Sequence, residues 1–323
     1  AEEVDSVALL VLDGGTDLEA DHPGFHDADY KQRRNKITEA AAQFRFGDSP
    51  SIVDYSPEEI ECWNIIWRKL KPLLFEHGCP QYIEAFEGLQ KHCGYKEGNI
   101  PQLADVSGYL YDKTGFRLRP TAGLLSSRHF LNGLAFNTFF CTQYLRHHSV
   151  PFYTPEPDVV HELVGHAPMF ADPEFAKFSQ EIGLASIGAT DEQIEQLARC
   201  YWFSVEFGLC KESPSSNVRK VYGAGILSSF GEIEYAMSDE PEIRAWDPRN
   251  AAKQPFPITK YQPLYYLAES FEDATVKMRE FANSLDKPFT CRWNDVKEKL
   301  YVDRNVQREE RKKDDFGEYI GDA

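Results

Sequence analysis

The chain has 323 residues, of which 42% are hydrophobic and 13% aromatic, and its formal net charge is -17. This length and composition predict one large domain, or a domain with short appendages, that has a sizeable core. The acidic balance argues against nucleic acid or an anionic membrane as a partner, since phosphate binding needs clustered cations. Small molecules are therefore the expected partners.

The cysteines and the apolar runs indicate the compartment. The seven cysteines are scattered, odd in number and without C-x-x-C spacing, which is typical of proteins in a reducing compartment. The apolar run at residues 7–12 is far shorter than the roughly 20 residues of a membrane span. No basic flank or cleavage pattern accompanies it, so we expect a cytoplasmic protein.

Helical periodicity dominates the first half of the chain after a linker-like start. Residues 1 to about 25 hold a short strand-like run, a Gly-Gly pair and an acidic stretch, which are typical of a linker or the end of another domain. Apolar spacing then predicts helices over 30–46, 58–75, 80–92 and 101–111. Trp63 and Trp67, in the second of these helices, are predicted to be core residues.

A polar loop beside an apolar helix predicts a pocket in the next part of the chain. Residues 116–120 are extended, the polar loop 123–128 follows, and the aromatic stretch 129–140 is predicted to be a helix. Arg146 comes next. It is a candidate clamp for a carboxylate, since its fork binds one bidentately, and a solvated surface charge is the alternative.

The segment 153–168 carries two histidines and has the composition of a metal site. Its prolines fix an extended approach, Asp158 can cap a helix, and the following residues predict a short helix that Pro168 stops. His161 and His166 are five residues apart, so on a regular helix their side chains diverge by about 140°.

The five-residue spacing distinguishes this segment from the zinc-protease motif H-E-x-x-H, in which the histidines are four apart. His161 and His166 converge on one ion only if the second leaves the helix body. Ala167, which precedes Pro168, is biased out of the helical region at that point. A helix with two solvated or hydrogen-bonded histidines is the alternative.

Glu206 is the candidate third ligand. A capping box at 190–193 opens a helix on which Glu206 ends an apolar stripe, and a carboxylate is rarely buried unless it is paired or bound to a cation. A buried salt bridge to Arg146 or Lys211 is the alternative. With the two histidines, Glu206 would form a facial triad, which suits non-haem Fe(II) oxygen chemistry.

The last part of the chain predicts helices, loops and a terminal hairpin. Helices are predicted over 173–184 and 264–281, a glycine-containing substrate loop over 222–232 and an irregular, proline-rich stretch over 240–262. Residues 289–293 and 299–303 flank a polar turn and predict a hairpin. The charged tail from Arg304 lacks apolar heptads. No repeat and no second domain is evident in the sequence.

Several extended motifs resemble those of one family. They are Gly115-Phe-Arg-Leu-Arg-Pro120, Gly123-Leu-Leu-Ser-Ser-Arg128, Tyr153-Thr-Pro-Glu-Pro-Asp158, Tyr201-Trp-Phe203 and Val205-Glu-Phe-Gly-Leu-Cys-Lys211. From about Asp21 to about Val302 the chain resembles the pterin-dependent aromatic amino acid hydroxylases, and most closely those that act on phenylalanine.

The resemblance implies a mostly α fold. We expect a single helical, basket-like catalytic domain with a few short β-strands and a C-terminal β-hairpin arm. It further implies a division into an N-terminal linker remnant (1–20), an iron- and pterin-dependent catalytic domain (21–288) and a hairpin arm with a charged tail (289–323).

The resemblance also assigns functional residues. The implied iron ligands are His161, His166 and Glu206. The implied pterin pocket consists of Leu125, Ser127, Phe130, Glu162, Ala198 and Tyr201. The implied amino acid pocket consists of Arg146, Thr154, Pro157, Trp202, Gly225 and Ser228, in which Arg146 would hold the substrate carboxylate.

The implied reaction is ring hydroxylation of free L-phenylalanine to L-tyrosine with O2, Fe(II) and tetrahydrobiopterin or a related tetrahydropterin. In the family, the position of Trp202 is tryptophan in the phenylalanine and tyrosine enzymes. The position of Ile258 is apolar in the phenylalanine and tryptophan enzymes but aspartate in the tyrosine enzymes. Only phenylalanine satisfies both, and tyrosine or tryptophan hydroxylation is the alternative.

Three departures from the family pattern bear on regulation and assembly. We expect no counterpart of its N-terminal regulatory domain, and Gly14 matches its mobile tyrosine. The tail 304–323 lacks the apolar heptads of its tetramerising helix, so a homodimer through the arm, or a monomer, is favoured over a tetramer. The linker 212–220 is a few residues longer than usual.

Two hypotheses from other classes stay open at this point. One is a zinc hydrolase with Glu162 as its base, which the histidine spacing disfavours. The other is a non-catalytic metal-binding or scaffold protein. Open coordination positions argue against the second, since structural zinc sites are usually closed by four ligands.

Overall fold

Helices are the main regular structure in the computed structural model, which describes residues 11–14, 18, 21–258 and 260–304. They are α1 (Ala28–Gln43), α2 (Pro57–His77), α3 (Pro80–His92), α4 (Leu103–Thr114), α5 (Ser127–Leu134), α6 (Pro173–Ser186), α7 (Asp191–Tyr201), α8 (Ala224–Leu227), α9 (Phe230–Met237), α10 (Pro248–Ala251) and α11 (Phe271–Ser284). The four helices predicted over 30–46, 58–75, 80–92 and 101–111 are confirmed, with small shifts at their ends.

Side-chain caps explain where two of these helices begin. Ser56 and Glu59 form a capping box at the start of α2, where Pro57 occupies the first helical position. Thr190 and Gln193 form the predicted capping box of α7. In both cases the cap satisfies backbone N–H groups that the helix leaves without an internal partner.

Aromatic side chains fill the core on which the site is built. Trp63 stacks on Trp67 with ring centroids 5.6 Å apart, and Trp67 stacks on Phe86 at the same distance. Both tryptophans are buried, so their predicted place in the core is confirmed.

Short strands form small sheets between the helices. They are β1 (Val11–Gly14), β2 (Arg117–Pro120), β3 (Gly123–Leu125), β4 (Thr138–Cys141), β5 (Gly208–Lys211), β6 (Arg219–Val221), β7 (Glu242–Ala245), β8 (Leu264–Ala268), β9 (Cys291–Asn294) and β10 (Lys299–Val302). The largest sheet has the order β6-β5-β8-β7. β9 and β10 form the predicted antiparallel hairpin.

The predicted helix over 129–140 is wrong in its second half. α5 ends at Leu134, and Asn137 adopts a left-handed conformation with φ of 52°. The next four residues form β4, which is buried throughout and pairs in parallel with β2. A short buried strand cannot be told from a buried helix by apolar periodicity.

The predicted helix over 264–281 is likewise divided. Its first five residues form β8, which lies between β5 and β7, and α11 begins only at Phe271 behind a Ser270 cap. The stretch 240–262, predicted to be irregular, contains β7 and α10. Parallel pairing with distant strands overrides the local pattern in this region.

The predictions about cysteines, membrane spans and domain division are tested by the structure only in part. All seven cysteines are free thiols. Among the described residues, no helix combines the length and the apolar character that crossing a membrane requires. The division at residues 20 and 288 stays a prediction, and the tail beyond Arg304 lies outside the described residues.

Candidate metal centre

The two histidines lie on a helical turn that is wider than an α-turn. Residues His161–His166 form a π-helical segment, in which the N–H of Ala167 donates to the carbonyl of Glu162 at 2.9 Å, an i to i+5 bond. A turn with one more residue than an α-turn aligns side chains five apart. His161 and His166 therefore share one face.

This widening replaces the exit from the helix that the sequence predicts. Ala167 keeps a helical conformation, with φ of -55° and ψ of -41°, and Pro168 is helical as well, so the predicted departure is wrong. Asp158 does cap the segment, because its Oδ1 accepts from the N–H of His161 at 3.1 Å.

Glu206 lies on a second wide turn. Residues Trp202–Glu206 continue α7 as a π-helical segment, and the N–H of Phe207 donates to the carbonyl of Trp202 at 2.9 Å. Such turns are rare and frequently occur at functional sites. The Glu206 side chain is 15% exposed and contacts both histidines.

The three side chains bring their ligand atoms together. The Nε2 atoms of His161 and His166 are 2.9 Å apart. Glu206 places one carboxylate oxygen 3.2 Å from Nε2 of His166 and the other 3.5 Å from Nε2 of His161. Cis ligands at about 2.1 Å from an ion are about 3 Å apart, so this donor set fits a metal ion bound on one face.

Burial and charge favour the protonation states that metal binding needs. Burial lowers the pKa of His161 to about 4 and outweighs the opposing charge of Glu206. Burial also acts to raise the pKa of Glu206, but the adjacent His166 and His161 outweigh it and hold that pKa at about 2. A neutral imidazole and an ionised carboxylate are the forms that coordinate a cation.

Ser228 fixes the orientation and tautomer of His161. α8 approaches the wide turn closely at Gly165, where a Cβ would lie 2.7 Å from the Ala224 carbonyl oxygen. The hydroxyl of Ser228 donates to that carbonyl at 2.8 Å and lies 3.0 Å from Nδ1 of His161. Because its only proton is engaged, Ser228 accepts from Nδ1–H, which leaves the Nε2 lone pair free for a metal.

Glu162 is a second acidic side chain beside the histidines. Its Oε1 accepts from the backbone N–H and the hydroxyl of Thr142 at 3.0 and 3.2 Å, and burial raises its pKa to about 7. Its ligand atom lies within 4.8 Å of those of His161 and His166. Glu206 is the better third ligand, because its oxygens contact both Nε2 atoms while Thr142 holds Glu162.

The alternative partners of Glu206 are engaged elsewhere. Arg146 binds Asp158 through Nε at 2.7 Å and Nη2 at 2.8 Å. Lys211 pairs with Glu269. The hypothesis of a salt bridge from Glu206 to Arg146 or Lys211 is therefore wrong.

The predicted pterin-pocket residues come from two helices that meet beside the histidines. α5 begins at Ser127 and carries Phe130, and β3 ends at Leu125 just before it. α7 carries Ala198 and ends at Tyr201, whose ring meets that of Phe130 edge to face at 5.2 Å. The Tyr201 ring also stacks on that of His166 at 6.5 Å, so Phe130 and Tyr201 form an aromatic wall next to the metal site.

Arg146 retains two protons for a ligand although Asp158 holds its fork. Nε and Nη2 bind the Asp158 carboxylate, and Nη1 donates to the Pro151 carbonyl at 3.3 Å. Among the described residues, no acceptor engages one remaining N–H on each of Nη1 and Nη2, and the predicted carboxylate clamp depends on these two protons. Thr154 and Pro157 lie on the loop that leads to Asp158.

Trp202 is held by a neighbouring loop. Its ring stacks on Phe256 at 4.2 Å, and its indole N–H donates to Oε1 of Gln262 at 3.1 Å. Gly225 lies on α8, where the sequence predicts a loop, and a Cβ there would lie 2.6 Å from the ring of Phe207. Gly225 therefore lets α8 pack against the second wide turn.

Ile258 lies on the same loop as Phe256 and Gln262, between α10 and β8. Its side chain is 75% exposed, so it is not packed into the interior of the site. Any effect of this position on substrate choice therefore involves the loop surface. Its predicted role in specificity stays a prediction.

Sequence reasoning missed the residues that orient these side chains. It indicates Asp158 only as a helix cap, whereas Asp158 also holds the fork of Arg146. Thr142, Phe256 and Gln262 carry no sequence signal, because each acts through a contact between segments far apart in the chain.

Comparison with known proteins identifies relatives along the whole chain. Residues 1–318 match the family described as biopterin-dependent aromatic amino acid hydroxylase. The chain is 52% identical to the phenylalanine-4-hydroxylase of Rattus norvegicus over 307 residues, which cover 95% of this chain and 67% of the relative. It is 51% identical to the tyrosine 3-monooxygenase of Mus musculus over 292 residues, which cover 90% of this chain and 58% of the relative.

Two solved structures of phenylalanine hydroxylases are similar in fold to this chain. A phenylalanine hydroxylase from Legionella pneumophila is similar with a TM-score of 0.63 and 33% identity, covering 72% of this chain and 98% of that chain. A phenylalanine hydroxylase from Chromobacterium violaceum with bound iron(III) and 7,8-dihydrobiopterin has a TM-score of 0.65 and 28% identity, covering 71% of this chain and 82% of that chain.

Proposed function

Since the chain belongs to the biopterin-dependent aromatic amino acid hydroxylases, we propose that it converts free L-phenylalanine to L-tyrosine. The proposal includes O2, Fe(II) and tetrahydrobiopterin as the other participants. Dependence on biopterin follows from the family. The iron is supported by the donor set and by the related Chromobacterium violaceum protein, whose structure holds iron(III) and 7,8-dihydrobiopterin.

The observation that carries the proposal is the convergence of His161, His166 and Glu206. Two imidazoles and one carboxylate that hold an ion on one face would leave its other coordination positions open to reactants, as in non-haem Fe(II) oxygenases. Bound iron and tetrahydropterin would together activate O2 for transfer of one oxygen atom to the aromatic ring.

The chain's own residues bind and orient the reactants. In this proposal Arg146 binds the amino acid carboxylate through its two remaining protons, while Asp158 holds the guanidinium still. Trp202, fixed by its stack on Phe256, forms a wall for the aromatic ring. The rings of Phe130 and Tyr201, which meet edge to face, offer the pterin an apolar contact surface.

Two positions favour phenylalanine over the other two aromatic amino acids as the proposed substrate. Trp202 disfavours tryptophan, and the apolar Ile258 disfavours tyrosine in the family pattern. Tyrosine hydroxylation is the second candidate, because the tyrosine 3-monooxygenase of Mus musculus is as similar to this chain, at 51% identity, as the phenylalanine-4-hydroxylase of Homo sapiens, also at 51%.

Product analysis with each of the three aromatic amino acids, in the presence of Fe(II), O2 and tetrahydrobiopterin, tests the proposal. We expect tyrosine from phenylalanine as the dominant product. Dominant formation of a dihydroxyphenylalanine from tyrosine would favour the second candidate. No hydroxylated product from any of the three would contradict the proposed function as a whole.

Family membership argues against the two hypotheses from other classes, a zinc hydrolase and a non-catalytic metal-binding or scaffold protein.

We also propose a cytoplasmic location and a homodimer built through the β9–β10 hairpin. Light scattering of the purified protein, with and without residues 289–323, tests the dimer.

A further inference from the structure

The wide turn that carries both histidines leaves two backbone carbonyls without their usual donors. In a regular helix the carbonyls of Leu163 and Val164 accept from the N–H groups of residues 167 and 168. Ala167 donates to Glu162 instead, and Pro168 has no N–H. Buried carbonyls are rarely left without a donor, so these two need partners from elsewhere.

Two buried tyrosines supply the missing donors. The hydroxyl of Tyr82, on α3, donates to the carbonyl of Val164 at 2.8 Å. The hydroxyl of Tyr95, after α3, donates to the carbonyl of Leu163 at 2.9 Å. Both side chains are almost completely buried, and both rings pack against Phe86. The core therefore holds each hydroxyl firmly in place.

We propose that Tyr82 and Tyr95 are positioning residues that keep the wide turn in the form in which His161 and His166 converge. The inference rests on the metal site of the proposed function. Without the Tyr82 hydroxyl, the Val164 carbonyl has no donor in either form of the turn, because Pro168 lacks an N–H, so the turn gains by shifting toward another donor. Without the Tyr95 hydroxyl, the N–H of Ala167 gains by returning to the Leu163 carbonyl. That exchange restores a regular helical turn, in which side chains five apart diverge.

Tyr82→Phe and Tyr95→Phe, singly and together, keep the rings and remove only the donors. Tyr55→Phe is the matched control, because the Tyr55 hydroxyl donates to the Gln143 carbonyl at 2.9 Å, outside the wide turn. The experiment titrates metal-free protein with Co(II) by calorimetry and records the absorption spectrum of the bound ion. Thermal unfolding of each metal-free variant is measured in parallel.

We expect each single variant to bind Co(II) about tenfold more weakly, since a buried carbonyl loses its donor, and to change the Co(II) spectrum. Tyr55→Phe should lower thermal stability while affinity and spectrum stay as in the wild type. If the double variant does not fold, the single variants decide.

The outcomes separate the inference from the proposed function. A wild-type protein that does not bind Co(II) would contradict the metal site itself. A wild type that binds, with affinity and spectrum unchanged in Tyr82→Phe and Tyr95→Phe, would overturn the positioning role even if both variants lose thermal stability.

Discussion

Arg146 and Asp158 form a bidentate ion pair that is almost completely buried. The Nε–Oδ2 and Nη2–Oδ1 distances are 2.7 and 2.8 Å, and the side chains are 6% and 0% exposed. Asp158 also accepts from the backbone N–H of Arg146 at 2.9 Å and caps the turn of His161. One carboxylate therefore links the candidate substrate clamp to the candidate metal ligands.

Arg146→Lys should weaken amino acid binding far more than pterin binding. Lysine offers a point charge in place of a planar fork, so it cannot bind Asp158 side-on and a substrate carboxylate end-on at the same time. The expected loss is about 1–3 kcal/mol of amino acid binding free energy. Saturation curves for the amino acid and for tetrahydrobiopterin measure the two effects separately.

Arg244→Lys is the control for this change, because Arg244 forms a similar bidentate pair with Glu242 on the surface. It should leave both saturation curves unchanged, since exposed pairs contribute little. If Arg146→Lys raised the concentration of pterin needed for half-saturation and left the amino acid affinity unaltered, Arg146 would belong to the pterin pocket and not to the amino acid pocket.

Alanine at His161, His166 or Glu206 should abolish both iron retention and hydroxylation while the helical fold persists. Three protein ligands hold the ion on one face, and a missing ligand leaves only two bonds from the protein. Metal content after gel filtration, compared with the far-ultraviolet circular dichroism spectrum, measures the effect.

Glu162→Gln tests which carboxylate is the third ligand. Glu162 is bound by Thr142, so its replacement by a neutral side chain of the same shape should leave iron bound. Full iron content in Glu206→Ala together with loss of iron in Glu162→Gln would reverse the assignment of the two residues.

The sequence indicates the ligands but not the geometry that unites them. The five-residue spacing of His161 and His166 is visible in the sequence, and it excludes the H-E-x-x-H arrangement. The wide turn that reconciles this spacing with one ion depends on Pro168 and on tyrosine hydroxyls from a distant helix and loop. Local sequence propensity does not predict such contacts between distant segments.

Strand β8 illustrates the same limit at the level of the fold. Its sequence, Leu264-Tyr-Tyr-Leu-Ala268, is apolar and precedes a true helix, so periodicity extends the helix over it. Only pairing with β5 and β7, which are distant in sequence, makes it a strand. Helices with capping boxes, in contrast, begin where the sequence predicts.

Gln262→Leu should raise the KM for the amino acid and leave that for tetrahydrobiopterin unchanged. Gln262 accepts the indole N–H of Trp202 at 3.1 Å and donates to the Pro257 carbonyl at 2.9 Å. Leucine removes these bonds, so the tryptophan loses its orientation and its indole N–H loses its partner. The free energy of unfolding should also fall by about 1–3 kcal/mol.

Gln254→Leu, on the same loop, is the control, because among the described residues the Gln254 side chain bonds with the exposed Arg244 and the Pro255 carbonyl and not with Trp202. It should change neither KM. Equal effects of the two substitutions would mean that the loop responds to any loss of polarity, and that Gln262 has no specific role in holding Trp202.

Ile258→Asp should lower the preference for phenylalanine and raise the relative use of tyrosine. Ile258 is 75% exposed, so a carboxylate is accommodated there without a burial cost, and it acts at the edge of the loop that holds Trp202. Ile258→Asn introduces a side chain of the same shape as aspartate but without its charge. It therefore separates an electrostatic effect from a shift of the loop. Competition between the two amino acids gives the ratio of kcat/KM values, which reports differential transition-state binding. A ratio that moves in Ile258→Asp but not in Ile258→Asn would assign the effect to charge. A ratio that moves in neither variant would remove Ile258 as a determinant of specificity, and with it the main argument for phenylalanine over tyrosine.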